Sequence, residues 1–325
     1  MIDWRPTARL DVLRLRAELL ARTRRFFAQR SVLEIETPVL STAAIPAPHL
    51  DSLSVVYRGP QAPPSGRLYL HTSPEFPMKR LLAAGSGSIY QLCRVFRDAE
   101  AGVRHNPEFT LLEWYRVGFD LPRLMDEVEM LVRSLLAGVR ELPAAVYSTY
   151  RDLFLHYAGV DGLGAGAGEL RRCLERHGHR PPDGLADQDL DAWRDLVLTH
   201  VIEPQLGGLL FVSEYPASQA ALARIRDTQP PVALRFECYL DGMELANGFH
   251  ELADAAEQRH RFEQENHARA AAGRPLVPID ERLLAALEAG LPDCSGVALG
   301  FDRLMMCAVG AKRIDEVLAF DIGHA

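Results

Sequence analysis

Nine residues and a turn constrain this chain more than any other segment. Val232 to Leu240 alternates without a break. Leu234, Phe236, Cys238 and Leu240 make one apolar face, and Arg235, Glu237 and Tyr239 make the other, the period-two pattern of a strand with two environments. Asp241-Gly242 follows, a strong hairpin signal because both turn positions need a positive φ. Met243-Glu244-Leu245-Ala246 then continues as the return strand. A two-residue turn pairs Leu240 with Met243 and Tyr239 with Glu244, and sets Glu237 opposite Ala246. Glu237 and Glu244 therefore share a face as diagonal neighbours about 7–8 Å apart. Two carboxylates on one face repel each other unless a cation sits between them. Oxygen ligands of that kind suit Mg²⁺, which takes one or two carboxylates plus substrate phosphates. The alternative is a solvated face with Glu237 paired to Arg235 or Arg313.

Other elements follow from periodicity. Arg9 to Arg30 reads as a helix, with Leu13, Ala17, Leu20 and Phe27 near helical spacing. Val32 to Glu36 reads as a strand stopped by Thr37-Pro38. Residues 43–66 are a Pro/Ala/Gly/Ser-rich loop around a brief strand at 53–57. Thr72-Ser73-Pro74-Glu75 fits a capping box opening a helix that ends near Gly85. Strands are expected over 89–96 and 109–117, a mostly helical stretch from about 121 to 201, strand again at 211–212, and helices at 254–272, 280–289 and 302–309. Hairpin-separated strands among helices predict an α+β fold, an antiparallel sheet flanked by helices.

Two further places carry chemistry. The loop from Asp98 to Glu108 is long for a hairpin and holds Glu100, Arg104, His105 and Asn106; such loops are uncommon without a function. Arg97 stands where the first strand ends, placed either to grip a phosphate in two-point fashion or to form a surface ion pair. Glu113 and Tyr115 alternate with Leu112 and Trp114, making a pocket for an ammonium group on one sheet face. The small-residue strand Cys294 to Gly300 lets a ligand approach its backbone. Arg303 then opens a helix where a cation is disfavoured, so it is either an anion ligand or a partner of Asp302 or Asp321.

Composition removes several classes. The 325 residues carry 36 Lys+Arg against 44 Asp+Glu, a net charge of −8, which argues against binding nucleic acid by overall charge. No run of about 18 apolar residues could span a membrane, and Met1 to Pro6 has no apolar core of a signal peptide. Five cysteines without a C-x-x-C pair make a reducing cytoplasm the default. No G-x-x-x-x-G-K-[ST] loop is present and no G-x-G-x-x-G follows a strand, so any nucleotide is held without the two commonest glycine-rich folds.

Taken in order, these segments resemble the catalytic domain of class II aminoacyl-tRNA synthetases. Phe26-Phe27-Ala28-Gln29-Arg30 through Glu36-Thr37-Pro38 is similar to motif 1, the helix–strand–proline of the dimer interface. Phe96-Arg97-Asp98 through His105-Asn106-Pro107-Glu108-Phe109-Thr110 is similar to motif 2, and Gly300-Phe301-Asp302-Arg303 to motif 3. Thr72 to Glu75, His105 to Phe109 and Glu244 to Glu251 resemble lysyl-type segments. The resemblance implies one catalytic domain over 1–325 with a helical insertion at about 121–205. It implies no anticodon-binding domain, since motif 1 begins within the first thirty residues.

A free-standing lysyl-type core looks like the branch of the family whose members attach (R)-β-lysine to a lysine side chain of elongation factor P. The implied substrates are ATP, with Mg²⁺, and β-lysine, with lysine weaker. The implied assembly is a homodimer without tRNA or membrane. Two rivals are a truncated synthetase that charges tRNA and an inactive regulatory paralogue.

By position, the resemblance implies Arg97 on the α-phosphate, Arg303 on the γ-phosphate and Phe109 stacked on adenine. Asp98, His105, Asn106, Glu244, Leu245 and Gly300 complete the ATP site, and Glu237 and Glu244 hold Mg²⁺. Ser73, Glu75, Glu113, Tyr115, Asn247, Glu251 and Ala298 form the amino-acid site, with Glu251 and Tyr115 on the distal ammonium and Glu75 on the other amine. Ala298 stands where lysyl-tRNA synthetases have glycine, and Ala99 where the family's motif 2 has glutamate, with Glu100 one step later. Strict alternation puts Asn247 on the face opposite Glu244. Both serve one site only if the strand bulges, and Gly248 is the expected place.

Overall fold

The structure is a computed structural model that describes residues 4–325. Helix α1 (Leu10–Ala28) leads into β1 (Leu33–Glu34). Then come β2 (Leu40–Ser41), β3 (Ser54–Val56), β4 (Arg67–Leu70), α2 (Glu75–Ala83), β5 (Ile89–Phe96), β6 (Glu108–Val117) and α3 (Leu121–Leu136). The middle holds β7 (Val146–Thr149), α4 (Tyr150–Ala158), α5 (Ala167–Arg176), α6 (Leu190–Val197) and β8 (Leu209–Pro216). The last third holds β9 (Ile225–Arg226), β10 (Val232–Leu240), β11 (Met243–His250), α7 (Ala255–Ala271), α8 (Glu281–Gly290), β12 (Cys294–Gly300) and α9 (Phe301–Val309).

Among the described residues the main sheet runs β1-β5-β6-β12-β11-β10-β8-β7, with β9 beside β10, and a small sheet runs β2-β4-β3. The central pairs are antiparallel, as expected. The two outermost, β1 with β5 and β7 with β8, are parallel. Strand β7 falls in the stretch expected to be helical; Val146-Tyr147-Ser148-Thr149 is too short for a periodic signal and exists because β8 offers it an open edge.

One face of the sheet presents Leu112, Trp114, Phe236, Leu240, Val297 and Leu299 to α1, α3 and α9. Helix α3 shows why: Leu121, Leu124, Val128, Leu131, Val132 and Leu135 repeat at helical spacing and are buried. Asp120 caps it by accepting from the Arg123 N–H at 3.1 Å. The opposite face is the floor of the site described below. At its far end α4 to α6 pack Tyr150, Phe154 and Trp193 against Val212, Tyr215 and Tyr239 of β8 and β10.

Two local expectations are corrected. Thr72 does not cap α2; its hydroxyl is buried without a hydrogen-bond partner. Ser73 takes that place, accepting from the Glu75 N–H at 3.0 Å. The hairpin turn forms as expected, with Asp241 at φ 50° and Gly242 at φ 71°. The pairs Leu240–Met243 and Tyr239–Glu244 also hold, but Cys238 then faces Ala246 and Glu237 faces Asn247. The extra residue is at Leu245, not at Gly248.

Candidate active site

The bulge has a physical cause. Leu245 and Ala246 are consecutive, yet both are buried in the same apolar core. A strand in strict alternation would expose one of them; one inserted residue turns both inward and brings Glu244 and Asn247 onto the same face. A row of side chains consequently crosses four neighbouring strands: Glu113 on β6, Ala298 on β12, Asn247 on β11 and Glu237 on β10, each paired with the next.

A cleft of about 210 Å³ opens beside this row. It is lined by Arg97, His105, Asn106, Phe109, Glu244, Leu245, Asn247, Ala298, Gly300 and Arg303, together with Glu100 and Arg104. The Arg97 guanidinium stands 5.0 Å from the Phe109 ring centroid, in the range of a cation–π contact. Arg303 pairs with neither Asp302 nor Asp321. It donates to the Glu244 carbonyl at 3.0 Å and carboxylate at 3.3 Å, and its other nitrogen is 2.7 Å from His105 Nε2. Burial, then the Arg303 charge, hold His105 below its ordinary pKa, so its ring is neutral and accepts from Arg303.

Asp302 is buried. It accepts from the Thr110 N–H at 2.6 Å and pairs with Arg16 of α1 at 2.5 Å. One carboxylate thus ties α1, β6 and α9 together. A Cβ at Gly300 would meet only Arg303 and the Leu245 carbonyl at ordinary contact distance, so the fold itself does not demand glycine there.

Some expected residues are used differently. Asp98 does not line the cleft; its carboxylate accepts from the Ala99 N–H at 2.8 Å. Asn106 borders the cleft but its amide is committed, donating to the Glu108 carbonyl and accepting from the Ile322 N–H. Leu245 borders it with its side chain in the core. Ala99 takes φ 61°, and that left-handed turn carries Glu100 into the cleft, 3.6 Å from Arg97.

Glu237 is buried and bonded to Arg235 and to the Tyr239 hydroxyl. Burial, with Glu244 adding to it, raises its pKa. Glu203, beyond α6, is pushed up to about 7 by burial and by the charges of Glu244 and Glu237. Among the described residues no three His, Cys, Asp or Glu side chains form a metal-binding group.

Ser73, Glu75, Glu113, Tyr115 and Glu251 do not line that cleft; they form a buried network behind it. Ser73 and Tyr115 each donate to Glu113 at 2.7 Å. Burial, then the Glu75 charge, push Glu113 up to about 8. Glu75 and Glu251 both contact Lys79, a residue outside every motif quoted above. Gly296 is obligatory: a Cβ there would lie 2.3 Å from the Tyr115 ring and 2.6 Å from the Glu251 carboxylate.

Comparison with known proteins settles the family. The profile of the tRNA synthetases class II (D, K and N) matches residues 1–322. The chain belongs to this class II synthetase family. Within it, the chain is 49% identical to the elongation factor P–(R)-β-lysine ligase of Edwardsiella ictaluri over 329 residues, covering 100% of this chain and 99% of that one. It is 47% identical to the ligases of that name from Haemophilus influenzae strain PittGG and Pasteurella multocida, each over 99% of this chain and 98% of the relative. The Asp302 tie thus joins α1 to the segments that resemble motifs 2 and 3. Glu100 and Arg104, which the sequence placed in the long loop without a role, line the cleft, and Lys79 in α2 is the site residue the sequence reading missed. Lys79 had a readable signal, standing four residues after Glu75 on a helix.

Proposed function

We propose that this chain is an ATP-dependent ligase that activates (R)-β-lysine as its adenylate and transfers it to a lysine side chain of elongation factor P. The observation that carries this reading is the full-length similarity to relatives of that name, supported by a cleft with guanidinium groups over a floor of small residues.

Arg97 holds the α-phosphate of ATP, Arg303 the γ-phosphate, and Phe109 the adenine. Gly300, without a side chain, lets the nucleotide lie against β12. Asn247 and Ala298 mark the passage from the cleft to the buried carboxylates, where Glu75 and Glu251, with Tyr115, take the amines. Glu237 and Glu244 would hold Mg²⁺, Glu237 while still bonded to Arg235 and Tyr239, and the ion would supply charge against the phosphates. A carboxylate oxygen of β-lysine attacks the α-phosphorus in line, and the bond to the β-phosphate oxygen breaks, releasing pyrophosphate. The acceptor ε-amine then attacks the acyl carbon, loses a proton and expels AMP. Positioning and charge stabilisation by Arg97 and Arg303 serve the first step without an enzyme nucleophile.

We read residues 1–325 as one cytoplasmic catalytic domain with its insertion at 121–205, working as a homodimer through α1 and β1. Leu33 of β1 is an exposed apolar residue available to such an interface; sedimentation at a monomer mass would refute the dimer. Among the described residues no helix is long and apolar enough to cross a membrane. The deciding experiment is β-lysine-driven pyrophosphate exchange followed by label transfer to elongation factor P or to tRNA. Label on elongation factor P is expected. Absence of exchange refutes adenylation, and label confined to tRNA refutes the acceptor.

A further inference from the structure

Lys79 lies in the middle of α2 with its side chain 1% exposed. Its ammonium is 2.7 Å from Glu75 Oε1 and 2.6 Å from Glu251 Oε2. A buried ammonium is costly unless paired, and one carboxylate would pair it. Here it is wedged between two, on different elements. The other Glu251 oxygen lies against Gly296, whose N–H donates to that carboxylate.

The surroundings are strongly acidic. Glu113 and Tyr115 of β6 face Glu251 and Glu75. Glu265 of α7 faces Glu75, with one carboxylate oxygen buried and without a hydrogen-bond partner, and Arg261 stands beside it. Cys294 of β12 borders Glu251. Lys79 is thus the cation placed directly between the two carboxylates.

We propose that Lys79 is a positioning residue for amino-acid binding, a resident cation that holds Glu75 and Glu251 in place and favours the charged carboxylate of Glu251 for an incoming ammonium group. This rests on the reading of Glu75 and Glu251 as the amine-binding carboxylates. The electrostatic direction is clear. Burial pushes Glu251 up to about 7, against the lowering effect of Lys79. Without Lys79 that lowering is gone and the like charge of Glu75 remains, so Glu251 takes up a proton in a range where the native carboxylate is charged. A protonated carboxyl cannot pair with an ammonium. The β-lysine amines, with ordinary values of ~10, stay charged throughout.

The test is the pH dependence of pyrophosphate exchange by the full chain with (R)-β-lysine. For Lys79→Met, KM for β-lysine should rise about fivefold at pH 7, because the native carboxyl is half ionised near 7 and raising its pKa by one leaves about a tenth of it ionised. It should converge on the native value as pH rises toward 9, while KM for ATP stays unchanged. Lys79→Arg keeps the charge and should follow the native profile. A Lys79→Arg profile displaced from the native one toward that of Lys79→Met, or a Lys79→Met defect that is equal at every pH or missing, overturns the proposal. If Lys79→Met does not fold, Lys79→Gln, which retains donors for both carboxylates without the charge, is read the same way. Glu251→Gln tests the underlying reading separately. An unchanged KM for β-lysine there removes Glu251 as an amine ligand; a raised KM there with a pH-independent Lys79→Met defect removes only the role of Lys79.

Discussion

Replacing Asp302 by asparagine should uncouple α1, β6 and α9 at their common tie. The Asp302 side chain is 2% exposed and that of Arg16 12%. Asparagine keeps one acceptor for the Thr110 N–H, which lies 2.6 Å from the native carboxylate, but leaves Arg16 facing a neutral amide. Arg16 retains its 2.7 Å bond to the Thr110 hydroxyl and its place over the Phe301 ring. Breaking a buried pair on one side costs about 3–5 kcal/mol; partial solvation of Arg16 puts this case at ~3 kcal/mol. With an m-value of about 3 kcal/mol/M for a chain this large, the urea midpoint should fall by about 1 M. The assay is equilibrium urea unfolding followed by tryptophan fluorescence, for Asp302→Asn, Arg16→Gln and the double variant. A coupling energy of about 2 kcal/mol is expected. Simple additivity of the two single costs would refute the ion-pair argument. Pyrophosphate exchange measured far below the transition should also fall, by about 10-fold to 100-fold, because Arg303 follows Asp302 directly and small misplacements are costly in rate.

Arg97→Ala and Arg303→Ala should each lower pyrophosphate exchange by about 10²–10³-fold while leaving the urea midpoint almost unchanged; a change confined to KM for β-lysine would place these residues elsewhere. Ala298→Gly should move preference from (R)-β-lysine toward α-lysine by about 1–3 kcal/mol in relative kcat/KM, because Ala298 stands between Glu113 and Asn247 on the cleft floor; unchanged relative rates would sink this. Gly296→Ala should abolish amino-acid-driven exchange while ATP still protects against thermal unfolding, since its Cβ would displace the Tyr115 ring; wild-type KM would refute it. Two limbs are expected in the pH profile. KM for β-lysine should fall as pH rises through about 7, where Glu251 ionises. At saturating β-lysine, exchange should also fall in acid, where protonation of His105 turns the acceptor of the Arg303 hydrogen bond into a donor; an acid limb in that saturated rate that persists in His105→Phe would assign it to another group.

Much of the cleft was legible in the order of its segments. Arg97, His105, Phe109, Glu244, Gly300 and Arg303 come from the loop before β6 and from β6, β11, β12 and α9, and the structure places all six on one cavity. Two expected residues are engaged locally. Asp98 has a residue type that suits a ligand, yet it stands exposed with its carboxylate on the Ala99 N–H, and Asn106 reaches the cleft edge with its amide bonded to the Glu108 and Ile322 backbone, a competition no spacing rule reveals. Glu100 stands one position off the family pattern, and the positive φ of Ala99 is what restores it to the cleft.

By itself the sequence determined what depends on near neighbours: the helices, the alternation of β10, and the Asp241-Gly242 turn with its first two pairs. These are set by rotamers, turn sterics and local polarity over a few residues. Tertiary structure decided the bulge at Leu245, because two adjacent apolar residues could both be buried only if the strand gave up its period. It also decided that Ser73 rather than Thr72 serves α2, that Asp302 answers to Arg16, and that Lys79 lies between Glu75 and Glu251. Each of these is a charge or hydroxyl removed from water, whose partner is chosen by which distant element packs against it.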